Sequence, residues 1–296
     1  MERSFISKKQ LIVASVFAVI VAGVIFIAHN WPVSKLVVCD VGQGDGIYIH
    51  LKQGVDILID TGPDESILEC LGREMAFMDH TIDFVFISHA HFDHYGGFGA
   101  VLKRYEVAHL YVVPVYTGAK TYVRFINEAR KVTKVHYIHG QEDIPVSPDV
   151  TFHIIWPDAQ WLTREYTDGQ NLQKTSKDMN TFSTVIYTTI EKTGILLTGD
   201  TPFDLLLHAT ASIPKPVPIL KTSHHGSRTG LNERLLNSLK PSLVLISSGK
   251  NNRYGHPHAE VLTLLKSFDI PFMVTAQDGG IRIDFRGGRW YRRPSF

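Results

Sequence analysis

Four side chains able to bind a metal fall within the run Ser88-His89-Ala90-His91-Phe92-Asp93-His94. An apolar stretch at residues 84–87 leads into it, so the run reads as a strand end opening into a turn. In extended backbone His89 and His91 point to the same side and can share one cation. Asp93 and His94 stand where the chain must turn, and can face a neighbouring one. Imidazole with carboxylate suits Zn²⁺, or Mn²⁺ with less specificity, and one or two ions are expected. The alternative is a polar loop with chance histidines, and this spacing directly behind an apolar strand weighs against it. Gly96 and Gly97 follow, which suits a tight lead into the next helix. Hydrolysis is the chemistry such a centre offers.

Further candidates are scattered along the chain. Asp60 stands in Ile59-Asp60-Thr61-Gly62 and Asp200 in Leu197-Thr198-Gly199-Asp200. His224 and His225 lie in Lys221-Thr222-Ser223-His224-His225-Gly226-Ser227, and His256 in Asn252-Arg253-Tyr254-Gly255-His256-Pro257-His258. Taken alone, Asp200 reads as a helix cap or turn residue, and Asn180 as a turn asparagine. Ser223 and Ser227 lack the G-x-S-x-G surroundings of a serine nucleophile.

With Asp40-Val41-Gly42-Gln43-Gly44-Asp45 at their head, these motifs in this order resemble the metallo-β-lactamase fold superfamily. They resemble more closely its ComEC-like branch, the hydrolase-like domain of a DNA-uptake protein, over residues 36–286. The resemblance implies an α/β fold of αββα type, a four-layer sandwich of two mixed β-sheets with helices outside. It implies His89, His91, Asp93, His94, Asp200 and His256 as metal ligands, with Asp200 bridging two ions. Asp93, His225 and His224 become catalytic, His225 as a phosphate-facing acid or hydrogen-bond donor; His225 and His256 could exchange roles. Asp60 becomes an acceptor behind the histidine loop, and Asn180, Ser183 and Ser227 fall on the substrate side.

One departure stands out. Many members carry a third histidine upstream of the LTGD aspartate, and here Asp178-Met179-Asn180-Thr181-Phe182-Ser183 has none. The first cation then has a thin ligand set. The implied reaction is phosphodiester hydrolysis, of DNA or another phosphodiester, by a metal-bound hydroxide. The alternatives are a lactone, thioester or surface-polymer phosphoester hydrolase on the same fold, or a non-catalytic DNA-uptake module.

The elements that must position these residues are legible in outline. The chain has 296 residues, 44% apolar and 20% charged, which excludes disordered, collagen-like and coiled-coil classes. A net charge of +1 names no partner. Strand patterns at 36–39, 46–51, 57–59, 84–88 and 110–113 alternate with helical ones, the first helix starting at Pro63. Strands at 184–190, 194–198, 219–222, 243–247, 272–275 and 281–285 follow, with helices near 203–209, 232–239 and 259–268. Residues 166–180 read as a long loop. Cys39 and Cys70 are too few for a disulfide framework, and each is expected to pack in the core. Arginines 282, 286, 289, 292 and 293, with Trp290 and Tyr291 between them, read as a charge-guarded edge strand or as a phosphate-tracking strip.

Residues 11–28 form an uncharged apolar run behind Arg3, Lys8 and Lys9. The expected division is a basic cytoplasmic tail at 1–10, a membrane anchor at 11–30, a linker at 31–35 and the hydrolase domain at 36–296. That makes a single-pass membrane protein with its catalytic domain extracytoplasmic. Secretion after signal cleavage is the alternative, and Phe26 disfavours it by breaking the small-residue cleavage pattern. One spanning segment cannot form a channel, so a part in DNA uptake requires a separate channel partner.

Overall fold

The computed structural model describes residues 33–166 and 171–294, together with Lys9, Ser15, Phe17, Ile20 and Val21. The expected membrane anchor at 11–30 thus lies outside the described residues, apart from a few isolated helical positions. Among the described residues no helix is long and apolar enough to cross a membrane. Ser34–Phe296 forms one compact unit, distinct from Met1–Val33.

In chain order the strands are β1 (Ser34–Val38), β2 (Gly46–Leu51), β3 (Val55–Thr61), β4 (Thr81–Ile87), β5 (Glu106–Val112), β6 (Val115–Tyr116), β7 (Lys134–Tyr137), β8 (Glu142–Ser147) and β9 (Val150–Trp156). They continue as β10 (Gln173–Lys174), β11 (Val185–Ile190), β12 (Thr193–Leu197), β13 (Ile219–Lys221), β14 (Leu243–Ile246), β15 (Phe272–Val274), β16 (Ile281–Arg286) and β17 (Arg289–Arg293). One mixed sheet has the order β17-β16-β1-β2-β3-β4-β5-β7, and the second β15-β14-β13-β12-β11-β9-β8.

The sheets face each other. A single apolar cluster joins Leu36, Ile47 and Phe86 of the first to Phe152, Ile186 and Leu245 of the second. Phe86 and Phe152 meet across the interface at 5.3 Å between ring centroids. Behind the second sheet, Leu196, Leu220 and Val244 pack on Leu206, Leu235 and Val261 of outer helices. Helices Ile67–Glu74, Phe98–Arg104 and Lys120–Ala129 contribute Leu71, Val101 and Ile126 to the first cluster. This is the expected αββα layering. With both faces covered, β2 is buried beyond its alternating pattern: Tyr48 is enclosed and its hydroxyl donates to Asp56.

The layout sends five loops to one edge. β3 and β4 are parallel neighbours, as are β12, β13 and β14. Their C-terminal ends deliver Asp60, the histidine loop, Asp200, the His224–Gly226 turn and Ser247 to the same side, where α/β sheets commonly bind ligands.

Two expectations need correction here. Cys39 and Cys70 are not core thiols but form a disulfide, their Cα atoms 5.7 Å apart. The end of β1 and the helix Ile67–Glu74 are brought together by the fold, not by sequence proximity. That helix also begins later than Pro63: the Asp64 side chain accepts from the backbone N–H and hydroxyl of Ser66 and forms the turn ahead of it. The loop at 166–180 contains β10 and leads into a short 3₁₀ turn, Met179–Phe182. Of the two readings of the C-terminal arginines, β17 is an edge strand. Arg282 and Arg293 converge on Asp284 at 2.7 Å each, and Arg292 reaches Asp278 at 3.4 Å.

Candidate metal centre

Asp60, next to last in β3, has a left-handed φ of 59°, which turns its carboxylate onto the neighbouring loop. One oxygen accepts from the Ser88 backbone N–H and the other from the Ser88 hydroxyl, both at 2.7 Å. The second oxygen also meets His94 Nδ1 at 2.8 Å. Fixing Nδ1 leaves His94 Nε2 to point at Asp200 Oδ2, 3.3 Å away. Asp60 therefore lies where an orienting acceptor must.

Ser183 does the corresponding work for the other side. Its hydroxyl accepts from the Asp200 backbone N–H at 2.9 Å and lies 3.3 Å from His89 Nδ1. Expected on the substrate side, Ser183 is fully buried behind these residues and is shut off from any substrate. Ser227 is likewise engaged in its own turn, with Thr229 Oγ1 at 3.0 Å. Asn180 keeps a buried amide oxygen without a hydrogen-bond partner among the described residues.

Around Asp200 Oδ2 stand His94 Nε2 at 3.3 Å, His225 Nε2 at 3.6 Å, and His89 Nε2 and His224 Nε2 at 3.9 Å. Asp93 Oδ2 approaches His225 Nε2 at 3.5 Å. Overlapping groups of possible ligand atoms, each within 4.8 Å of one another, are His89–His94–Asp200, Asp93–His94–His225, Asp45–Asp60–His94 and Asp45–Asp200–His225. Neither His91 nor His256 belongs to one. His91 Nδ1 lies beside His89 Nε2 at 2.9 Å, so it adjoins the cluster through that residue. His256, expected as a ligand, faces the His224 ring at 5.4 Å between centroids, and its Nδ1 lies 3.5 Å from Gln43 Nε2. The histidine brought inside is His225.

The reason is backbone geometry. His224, His225 and Gly226 have φ values of 51°, 55° and 80°, a left-handed turn that swings His225 inward. At Gly226 a Cβ would come within 2.6 Å of Pro257 Cβ, so no larger residue fits. His225 Nδ1 lies 3.2 Å from both the Ser247 carbonyl and Asp45 Oδ1. Asp45 in turn meets the fully buried Lys221 Nζ at 2.5 Å. Sequence reasoning left Asp45 and Lys221 without a role, although both stood inside quoted motifs. The loop before Asp45 presses on the histidine loop: a Cβ on Gly44 would lie 2.3 Å from the Asp93 carbonyl oxygen.

The family comparison agrees with this geometry. A sequence model of the metallo-beta-lactamase superfamily matches residues 39–249. The chain belongs to the metallo-β-lactamase superfamily. It is 26% identical over 303 aligned residues to ComE operon protein 3 of Bacillus subtilis (strain 168), covering 95% of this chain and 37% of that protein. It is 28% identical over 264 residues to Recombination protein 2 of Haemophilus influenzae, covering 86% of this chain and 29% of that protein. The chain thus spans about a third of the length of these curated relatives. Among solved structures, the metallo-beta-lactamase fold protein YhfI from Bacillus subtilis superposes with a TM-score of 0.54 at 13% identity, covering 86% of this chain and all of that one.

In this metallo-β-lactamase-fold chain the donor set fits a divalent cation. His94 Nε2, His225 Nε2 and Asp200 Oδ1 are buried and have no hydrogen-bond partner among the described residues. Unsatisfied atoms of this kind, converging from different loops, are costly unless something binds them. Burial opposes charge on His225, but Asp200 and Asp45 outweigh it and push its pKa up to about 10. His94 is likewise disfavoured by burial and raised well above its ordinary value by Asp200, Asp60 and Asp93. His89, buried beside His94, is held well below its ordinary value. Burial and the neighbouring imidazoles lower His256 to about 4.

Proposed function

We propose that this chain is a metal-dependent phosphodiesterase acting on DNA or another phosphodiester. The observation that carries the reading is the convergence of His89, Asp93, His94, Asp200 and His225 at the strand ends, with buried atoms that lack partners among the described residues. In this reading His89, His91, Asp93, His94, Asp200 and His225 hold one or two ions of zinc or manganese, His225 taking the role first given to His256. Bound there, the ions supply Lewis-acid stabilisation of phosphoryl charge and acidify water.

The chain's own groups do the rest. Asp60 and Ser88 fix the tautomer and direction of His94, and Ser183 aligns His89 with Asp200. Asp45, neutralised by Lys221, steadies His225 from behind. His224, with 29% of its side chain exposed, is placed on the open side to donate a proton to the leaving oxygen. His256 lies beside it to contact phosphate.

Nucleic acid as the substrate draws support from the ComEC-like motif order and from the rim. Phe92 is 56% exposed next to Asp93, and Tyr254 is 50% exposed, stacked on His256 with the Arg253 guanidinium 4.9 Å over its ring. Exposed aromatic faces with a cation suit stacking of unpaired bases.

The test is to strip the purified chain with chelator, restore Zn²⁺ or Mn²⁺, and assay single-stranded DNA, bis-p-nitrophenyl phosphate and a lactone. Diester cleavage should return with metal. It should fall in Asp93→Ala and Asp200→Asn by more than the about 10–100-fold typical of losing a supporting residue. Lactone cleavage alone would point to the ester-hydrolase alternative; DNA retention with no turnover would point to a binding module.

A further inference from the structure

Among the described residues of the unit Ser34–Phe296 the three most exposed large apolar side chains are Phe77 at 93%, Met78 at 82% and Val132 at 66%. They stand along one edge. β4, β5 and β7 are adjacent and parallel, so the loops leading into them lie side by side. Phe77 and Met78 precede β4, Lys103 and Arg104 precede β5, and Lys131 and Val132 precede β7. Since β4 ends in the histidine loop, this edge is the one opposite the metal centre.

The chain enters the folded unit at this same edge. β1 starts at Ser34, and Lys35 Nζ donates to Glu74 Oε2 at 3.0 Å and to the Glu74 carbonyl, just ahead of Phe77. Only residues 29–33 separate β1 from the uncharged run at 11–28. Lys103, Arg104 and Lys134 are exposed and make no ion pair among the described residues, while Lys131 is held by Glu128 at 2.8 Å. Asp56, Asp79, Asp83 and Glu106 stand at the same strand ends, and Glu191 and Asp149 meet this edge through Lys52 and Gln53, each at 3.0 Å.

We infer that this edge rests on a phospholipid bilayer, with Phe77, Met78 and Val132 entering the headgroup layer. Apolar tips beside long cationic side chains are the composition that favours an interfacial position, the stems of Lys103, Arg104 and Lys134 following the apolar residues while their charges meet lipid phosphates. The inference rests on the expectation that residues 11–28 insert in that bilayer. Its consequence is an orientation: the metal centre opens away from the lipid, toward aqueous substrate.

The test uses the full chain incorporated into vesicles of mixed phosphatidylcholine and phosphatidylglycerol. Phe77→Cys and, separately, Tyr254→Cys are labelled with an environment-sensitive dye under non-reducing conditions, keeping Cys39–Cys70 bonded. The exposure of Phe77 means its replacement leaves the fold intact. The label at 77 should shift to the blue and be quenched by headgroup-nitroxide lipid, the label at 254 should do neither, and Lys103→Glu with Arg104→Glu should reduce the quenching at 77. A chain that floats with the vesicles while both labels stay in water would overturn the inference and leave the anchor standing. A chain that does not float with them would overturn both. A blue shift that follows protein concentration at fixed lipid would reassign the edge to a second copy of the chain and overturn it as well.

Discussion

At the scale of single residues, Asp45 and Lys221 form a buried ion pair at the back of the centre. Lys221→Met would leave the buried Asp45 carboxylate with only His225 beside it, and a loss of up to about 3–5 kcal/mol in denaturant unfolding is expected. Burial alone would raise the Asp45 pKa, yet Lys221 and His225 hold it at about 2. A folded value below the unfolded one gives stability that is complete above the ordinary carboxylate range and is lost as pH falls through about 2. His225 runs the other way: its stabilising charge is complete below its ordinary value and disappears as pH rises through about 10. On the proposed assignment a cation would compete with that proton. Adding Zn²⁺ to chelator-treated protein at pH 7 in dilute buffer should release about one proton or more per ion, and affinity should fall as pH is lowered. Indicator-dye titration reads both; uptake of metal with no proton release would contradict the assignment of His225.

The contiguous candidate ligands of the His89–His94 run were legible because their chemistry is written in adjacent letters. Lys221 is 176 positions from Asp45, and no local pattern links them. The choice between His225 and His256 depends on the left-handed turn at 224–226, which only the packing of Gly226 against Pro257 makes visible.

At the scale of elements, Cys39 follows β1 directly and opens the loop that carries Asp45, and its bond to Cys70 ties that loop to the helix Ile67–Glu74. Cys70→Ser should cost about 2–4 kcal/mol, given a bridge that spans 31 positions. Thermal unfolding with and without reductant checks this: reductant should lower Tm in the parent and leave the variant unmoved. β1 to β4 and β11 to β14 were legible because apolar runs adjoin motif residues. β7 and β8 were not, since Lys134-Val135-His136-Tyr137 and Glu142-Asp143-Ile144-Pro145 mix charge and proline into short, half-exposed edges, and β9, though apolar and buried, adjoins no motif residue. The disulfide escaped for a related reason. Its cysteines sit in apolar runs that would serve equally for core packing, and only the crossing of helix over strand pairs them.

At the scale of the whole molecule, loops from both sheets meet at one edge, and the exposed rings of Phe92 and Tyr254 border the opening. Phe92→Ala with Tyr254→Ala should raise KM for single-stranded DNA, each lost stack being worth about 1–3 kcal/mol. Cleavage of bis-p-nitrophenyl phosphate, which has no bases to stack, should stay unchanged. Equal losses on both substrates would move the rings from substrate binding to support of the centre. Everything in this account depends on cations sitting among His89, His94, Asp93, Asp200 and His225. The direct measurement is an anomalous-difference map, at the zinc edge, from crystals of the chain grown with Zn²⁺. Peaks within bonding distance of His94 Nε2, His225 Nε2 and Asp200 Oδ2 are predicted; a map with no peak there, or with its only peak elsewhere on the protein, would contradict the assignment.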